Sequence, residues 1–101
     1  MQKIMTLRIA GKNVDIGQAL RTRIEETVEA TVRKYFDGGS SGHVTVTRAG
    51  RLFETEVVLH LDTGVVFEAQ GSDPDAHLSF EQSAERIDKQ LRRYKRRLKD
   101  H

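Results

Sequence analysis

The chain has 101 residues, which is enough for one domain with one modest core and too few for two domains, so a single domain over residues 1–101 is expected. It has no cysteine, which excludes disulfides and zinc sites built on cysteine. Lys and Arg number 17 and Asp and Glu number 15, so the formal net charge is only +2.

The N-terminal segment MQKIMTLRIA matches neither a signal peptide nor a membrane span. It is too short, and Lys3, Thr6 and Arg8 interrupt its apolar residues. The lack of cysteine also suits a reducing compartment. We therefore expect a cytoplasmic protein that has no membrane partner.

Four segments alternate between inward and outward residues, the period of a β-strand with one buried face. Their inward residues are, in chain order, Met5, Leu7 and Ile9; Val44 and Val46; Phe53, Thr55, Val57, Leu59 and Leu61; and Val65, Phe67 and Ala69. Tight turns are predicted at residues 49–50 and 62–64. The outward face of the third strand, with Glu54, Glu56 and His60, is expected to be exposed and mildly acidic, with Val58 as its one apolar residue.

Apolar residues at helical spacing predict a first helix between the first two strands, from about Ile16 to Phe36. Asp15 and Gln18 have the spacing of a capping box at its start. The sequence GGSSG at residues 38–42 is expected to be a flexible connector. It also fits the G-x-S-x-G pattern, but a nucleophile elbow needs a strand before it and a helix after it, and the order here is the reverse.

A second apolar stripe, with spacings of 4, 3, 4, 3 and 4, predicts the last helix. Its members are Phe80, Ala84, Ile87, Leu91, Tyr94 and Leu98. The helix should begin either with Asp73 as cap and Pro74 in the first turn, or with Ser79 as cap and Gln82 three residues later. A helix that ends at Lys99 would be about 37 Å long, so its last turns should extend beyond strands of about 20 Å.

The element order is strand, helix, strand, strand, strand, helix. This order predicts an α+β fold, in which a four-stranded sheet packs both helices on one face. A helical crossover joins the first two strands, so they should be parallel neighbours, and the remaining strands should form a meander.

The end of the last helix is strongly basic: residues 89–99, KQLRRYKRRLK, hold seven cations and no acid. Because the whole chain is +2 and this segment is +7, the other ninety residues carry a net charge of −5. Glu85 and Asp88 are placed to pair with Lys89 and Arg92, one turn later. The cations without an acid four residues before them are Arg93, Lys95, Arg96, Arg97 and Lys99. Such a cluster is typical of a polyanion-binding surface.

Other candidate sites are weaker. The histidines at 43, 60, 77 and 101 lack metal-binding spacing, and the outward Glu54 and Glu56 have no apolar pocket to raise a pKa. We therefore expect no metal, no cofactor, no small-molecule substrate and no enzyme activity. The chief rival is an amphipathic helix at a membrane surface, but the apolar stripe is narrow and is needed to cover the sheet.

Several spaced blocks of sequence occur together: GKNVDI at 11–16, AL at 19–20, KYFD at 34–37, Asp75 with Phe80-Glu81, IDKQL at 87–91, YK at 94–95 and LK at 98–99. In this order they resemble the N-terminal ribosome-binding domain of the ribosome hibernation promoting factors, also called ribosome-associated inhibitor or protein Y. The resemblance covers nearly the whole chain. The chain departs from it at Val28 and Thr31, where the family often has lysines, and at His77, where it has tyrosine.

The resemblance implies a β-α-β-β-β-α domain similar to double-stranded-RNA-binding folds. It implies binding to small-subunit rRNA in the mRNA and tRNA channel, competition with both RNAs, and a block of translation in starvation and stationary phase. It also implies that the protein promotes or supports inactive ribosome dimers. Long family members add a C-terminal dimerisation domain, so this chain is expected to be a short form or the N-terminal domain of a longer one.

The predicted RNA-binding residues come from both helices. In the last helix, where the resemblance and the charge pattern agree, they are Arg86, Lys89, Arg92, Arg93, Lys95, Arg96, Arg97 and Lys99. In the first helix, Arg33 and Lys34 would extend this surface if both helices pack on the same side of the sheet. The alternative that stays open is a free-standing domain for double-stranded RNA, unrelated to the ribosome.

Overall fold

A computed structural model describes residues 5–99. Its elements are β1 Met5–Lys12, α1 Gln18–Tyr35, β2 Ser40–Ala49, β3 Leu52–Leu61, β4 Val66–Asp73 and α2 Ala76–Lys99. The strands form one sheet in the order β1-β2-β3-β4, in which β1 and β2 are parallel and the other pairs antiparallel. The predicted α+β fold, the crossover and the meander are therefore confirmed.

The core lies between the sheet and the two helices, which cover the same face. Its buried residues include Leu20, Ile24, Val28 and Val32 of α1, Phe80, Ile87 and Leu91 of α2, and Val44, Val46, Val57, Leu59 and Phe67 of the sheet. Burial of each large apolar side chain stabilises the fold by about 1.5 to 3 kcal/mol. The stripes that the sequence predicts are thus the surfaces that hold the helices on the sheet.

Small residues bring α2 unusually close to the sheet near its start. Ser79 and Ser83 are fully buried, and the hydroxyls of Ser79 and Thr55 are 2.6 Å apart. Opposite them lies Gly71, where an added Cβ would be 2.8 Å from Gln82 Cβ and 2.9 Å from Ser83 N. These distances are shorter than ordinary contacts, so the close approach requires glycine at this position.

Helix α1 begins later than predicted. Its N-cap is Gly17, which makes no side-chain capping bond, so the predicted capping box of Asp15 and Gln18 is wrong. Strand β1 continues to Lys12, and the next residues must cross from the sheet to the helix layer. On that path Ile16 packs against the core instead of opening the helix.

Helix α2 begins between the two predicted starts. Its cap is Asp75, whose Oδ1 accepts the backbone N–H of His77 at 2.8 Å and of Leu78 at 3.2 Å. Asp73 supports this cap by accepting the N–H of Asp75 at 2.8 Å. The alternative start at Ser79 is wrong because that side chain is buried against the sheet.

The segment GGSSG is a flexible connector only in part, because its last three residues belong to β2. Ser40 pairs with β1 on one side and with β3 on the other. Gly42 is buried, and a Cβ there would lie 2.8 Å from both the Leu59 side chain and the Val58 carbonyl oxygen. Glycine at this position therefore serves close packing within the sheet.

The face of the sheet away from the helices is uncovered within the described chain, and its outward residues align in rows. One row runs Arg8, His43, Val58 and Glu68. Val58 is only 7% exposed, so its predicted exposure is wrong. Its direct cross-strand neighbours His43 and Glu68 shield it.

Neither helix in residues 5–99 carries an apolar stretch long enough to cross a bilayer.

Candidate nucleic-acid interface

The last turns of α2 leave the core, as its predicted length indicates. Leu91 is fully buried, and Tyr94 packs edge-to-face on Phe67 with ring centroids 5.5 Å apart. Leu98, one turn later, is 57% exposed. The apolar stripe thus stops packing after Tyr94, and the helix beyond it is surrounded by water.

Several of the predicted cations lie on this exposed end or directly before Tyr94. We call five of them the basic tip: Arg92, Arg93, Lys95, Arg96 and Arg97. All five are exposed, and within residues 5–99 none forms an ion pair. Lys89 is also exposed, whereas the side chain of Lys99 lies outside the described part of the chain. Unpaired cations at this density repel one another, and a polyanion would relieve that repulsion.

Asp88 pairs with α1 and not with Arg92 as the sequence predicts. Its Oδ2 is 2.9 Å from Lys34 Nζ, and its Oδ1 accepts the Tyr35 hydroxyl at 2.8 Å. Lys34 also lies 4.9 Å from the centre of the Tyr35 ring. Lys34, one of the predicted RNA-binding residues, is therefore engaged within the domain, where it fixes α1 to α2.

The same contacts shift two pKa values. Partial burial disfavours the charged form of Asp88, but the hydrogen bonds from Lys34 and Tyr35, aided by the charges of Lys34 and Arg92, hold the pKa of Asp88 below its usual value. The hydrogen bond to Asp88, followed by the contact with Tyr35, raises the pKa of Lys34. Both groups are consequently ionised at neutral pH.

The ends of the two helices lie at the same end of the domain. Arg23 contacts Glu81 at 2.7 Å and Lys34 contacts Asp88, so the contacts run in the same order along both helices. The helices are therefore parallel, and Arg33, which is exposed, lies at the same end as the basic tip. This is the arrangement that the prediction of Arg33 as an RNA-binding residue requires.

Three side chains of α2, each one helical turn apart, reach the free edge of β4. Gln82 Oε1 accepts the N–H of Ser72 at 3.0 Å, Arg86 donates to the carbonyl of Gln70, and Gln90 donates to the carbonyl of Glu68 at 2.8 Å. An uncovered strand edge invites pairing with other chains, and these contacts occupy it. Arg86 therefore has a structural partner, in contrast to the basic tip. The sequence signal for this role is three long polar residues at i, i+4 and i+8 beside an apolar stripe.

The histidines and carboxylates form no metal-binding cluster in the described residues. His43 and His60 lie on the neighbouring strands β2 and β3, where they pair with Val58 and Ser41. In residues 5–99, no group of three or more His, Asp or Glu side chains could hold a metal ion. The basic tip is thus the strongest candidate for function.

Replacement of Asp88 by asparagine tests the contact between the helices. We expect the free energy of unfolding at pH 7 to fall by about 1 to 2 kcal/mol, because a charge-assisted hydrogen bond is lost. The pKa of Asp88 is lower in the folded protein, so this stabilisation exists above the unfolded pKa and is lost as the pH falls through the folded value. Urea unfolding at pH 7 and in acid should therefore show a difference that shrinks in acid.

The control for this experiment is Glu85→Gln, which removes an exposed carboxylate from the same helix. It should change stability by less than about 0.5 kcal/mol at either pH. If Asp88→Asn lost the same stability at pH 7 and in acid, the charge of Asp88 would not be the source of the stabilisation.

Comparison with known proteins shows where the chain belongs. The family model described as sigma 54 modulation protein / S30EA ribosomal protein matches residues 7–99. Two curated proteins, each named ribosome hibernation promotion factor, are similar: that of Bradyrhizobium diazoefficiens is 51% identical over 95% of this chain, and that of Rhizobium meliloti is 50% identical over 96%. These matches cover 47% and 51% of the two relatives, so the chain spans about half their length.

Solved structures support the same fold. The N-terminal domain of Thermus thermophilus protein Y superposes with a TM-score of 0.77 at 23% identity, covering 93% of this chain and 99% of that domain. A ribosomal subunit interface protein from Coxiella burnetii gives a TM-score of 0.78 at 20% identity, covering 91% and 98%. At these identities the likeness concerns the fold alone. Because the family model matches almost the whole chain, the protein belongs to the sigma 54 modulation protein / S30EA ribosomal protein family.

Proposed function

We propose that this domain binds the rRNA of the small ribosomal subunit through its basic tip, in the channel that mRNA and tRNA use, and so keeps ribosomes inactive. Membership of the S30EA ribosomal protein family supports the ribosome as partner. The name of the two curated relatives supports a role in ribosome hibernation. No bond is made or broken in this function.

The observation that carries the proposal is the basic tip, whose five exposed cations on either side of Tyr94 form no ion pair within residues 5–99. Each phosphate that such a cation neutralises releases condensed counterions, which drives binding to RNA. Residues 89–99, which include the tip, carry a charge of +7, and the other ninety residues carry a net charge of −5. RNA therefore attracts the tip and repels the body, so the charge distribution favours an approach with the tip first.

The fold holds the tip in place before RNA binds. Packing against the core holds α2 in place as far as Tyr94. Asp88 attaches one side of the helix to α1, and Gln90 attaches the opposite side to β4. A helix that is already ordered loses little further entropy on binding. With the tip on rRNA, the body of the domain would occupy space that mRNA and tRNA need.

Two further parts of the proposal come from family membership. We place the protein in the cytoplasm, where a ribosome-binding protein acts. We also assign it a supporting role in the formation of inactive ribosome dimers.

Competition on isolated small subunits tests the proposed site. Labelled protein bound to the subunits should be released by mRNA with tRNA, because the proposed channel cannot hold all of them together. Co-sedimentation measures the bound fraction.

Added double-stranded RNA should compete only weakly, because the proposed site combines phosphates with the shape of the channel. Retention of the protein on subunits filled with mRNA and tRNA would reject the channel, and strong displacement by any RNA duplex would favour the free-standing duplex-binding alternative.

A further inference from the structure

We propose that the basic tip inserts between two separate RNA backbones, one on each flank of α2, and does not lie along the surface of a single RNA helix. This inference rests on the proposed function, because it concerns the shape of the RNA that the tip binds. It follows from the positions of the tip cations around the helix. Contacts elsewhere on α2 identify the two flanks.

One flank faces α1, and Asp88 marks it through its contacts with Lys34 and Tyr35. Arg92 and Lys95 follow Asp88 by four and seven residues, a spacing that places them on the same side of a helix. The charge of Arg92 also lowers the pKa of Asp88, which agrees with this placement. We call Arg92 and Lys95 the α1 flank.

The other flank faces the edge of β4, and Arg86 and Gln90 mark it through their bonds to β4 carbonyls. Arg93 follows Arg86 by seven residues, and Arg97 follows Gln90 by seven. Arg93 lines a groove of about 490 Å³ between α2 and the edge of β4. We call Arg93 and Arg97 the β4 flank.

The two flanks are almost opposite each other. At about 100° per residue, Lys95 and Arg97 are separated by about 200°, with Arg96 between them. The apolar Tyr94 and Leu98 take the remaining side. The helix with its side chains is about 10 to 12 Å wide, so a backbone that follows one side of it neutralises one flank only. Full neutralisation requires phosphates on both sides.

The RNA partner is thus a cleft with a phosphate backbone on each wall. The major groove of a regular A-form helix is too deep and narrow to accept a helix of this width. A cleft between two RNA helices, or a groove widened by an irregular structure, meets the requirement. This distinguishes the inferred partner from an unbroken RNA duplex.

Two charge-matched double variants test the inference: Arg92→Glu with Lys95→Glu on the α1 flank, and Arg93→Glu with Arg97→Glu on the β4 flank. Each changes the net charge by the same amount. We expect each to weaken binding to small subunits by about a hundredfold near 0.1 M salt, since two phosphate contacts are lost and two acids repel the RNA. Each should also make the negative slope of log affinity against log salt shallower by about 1.4.

Chemical probing of the rRNA backbone at low salt, where residual binding persists, gives the second measurement. Each variant should lose protection of a different RNA strand. As a control, Lys12→Glu with Arg51→Glu has the same change of charge at exposed sites remote from the tip, and it should bind within about threefold of the wild type.

The outcomes separate this inference from the proposed function. If one double variant bound like the control while the other lost binding, the tip would contact a single surface, and the inference would be wrong although ribosome binding remained. If the wild type did not bind small subunits, both would be rejected. Should a glutamate variant unfold by circular dichroism, the corresponding glutamine pair gives the same comparison with neutral side chains.

Discussion

Reversal of Arg93, Arg96 and Arg97 to glutamate should weaken binding to the small ribosomal subunit by about a thousandfold near 0.1 M salt. Each lost phosphate contact removes about 0.7 counterions, so three contacts account for about two orders of magnitude, and repulsion by three acids adds about another. Co-sedimentation with purified subunits over a salt series measures the effect. The variant should fold, because these side chains are exposed and unpaired in the described chain.

The matched control reverses three cations at the other end of the sheet: Lys12, Arg48 and Arg51. Lys12 ends β1, Arg48 lies near the end of β2, and Arg51 lies in the turn between β2 and β3. All three are exposed, so this variant has the same net charge without a change in the tip. Equal loss of binding by both variants would show that overall charge governs the interaction and that the basic tip is no specific site.

The fold could be predicted from the sequence because the apolar residues of its helices and strands recur at regular spacing. The two helical stripes and the alternating strands each predict a buried face, and the structure buries those faces against one another. Helix starts were less predictable. Several polar residues could cap α2, and the choice of Asp75 depends on Ser79 being required in the core beside Thr55. That requirement is a tertiary contact, which local sequence does not reveal.

The candidate site could be located from the sequence, but the partners of its individual residues could not. Charge density alone identifies the end of α2. Whether a cation is available depends on contacts between elements distant in the chain: Arg86 reaches the edge of β4, and Lys34 reaches Asp88. Local spacing instead paired Asp88 with Arg92. The local pairing was wrong because α1 supplies two donors, Lys34 and Tyr35, to the same carboxylate.

Gly71→Ala should destabilise the domain by about 3 kcal/mol, a large share of the stability of a small protein. The added methyl group would meet the backbone of α2 at Ser79 and Ser83, and a backbone cannot rotate aside as a side chain can. The helix must then move away from β4, which weakens the buried hydroxyl contact between Ser79 and Thr55. Thermal unfolding should show a Tm about 15 °C lower.

Gly17→Ala is the matched control, since it makes the same substitution where an added Cβ has no atom within 4 Å. The φ angle of Gly17 is −71°, which alanine adopts without strain. Its stability should change by less than about 1 kcal/mol, because a slightly poorer helix cap offsets the reduced freedom of the unfolded chain. If Gly71→Ala were as stable as Gly17→Ala, the close approach of α2 to β4 could relax at little cost, and the helix that bears the basic tip would be less rigidly held than its contacts indicate.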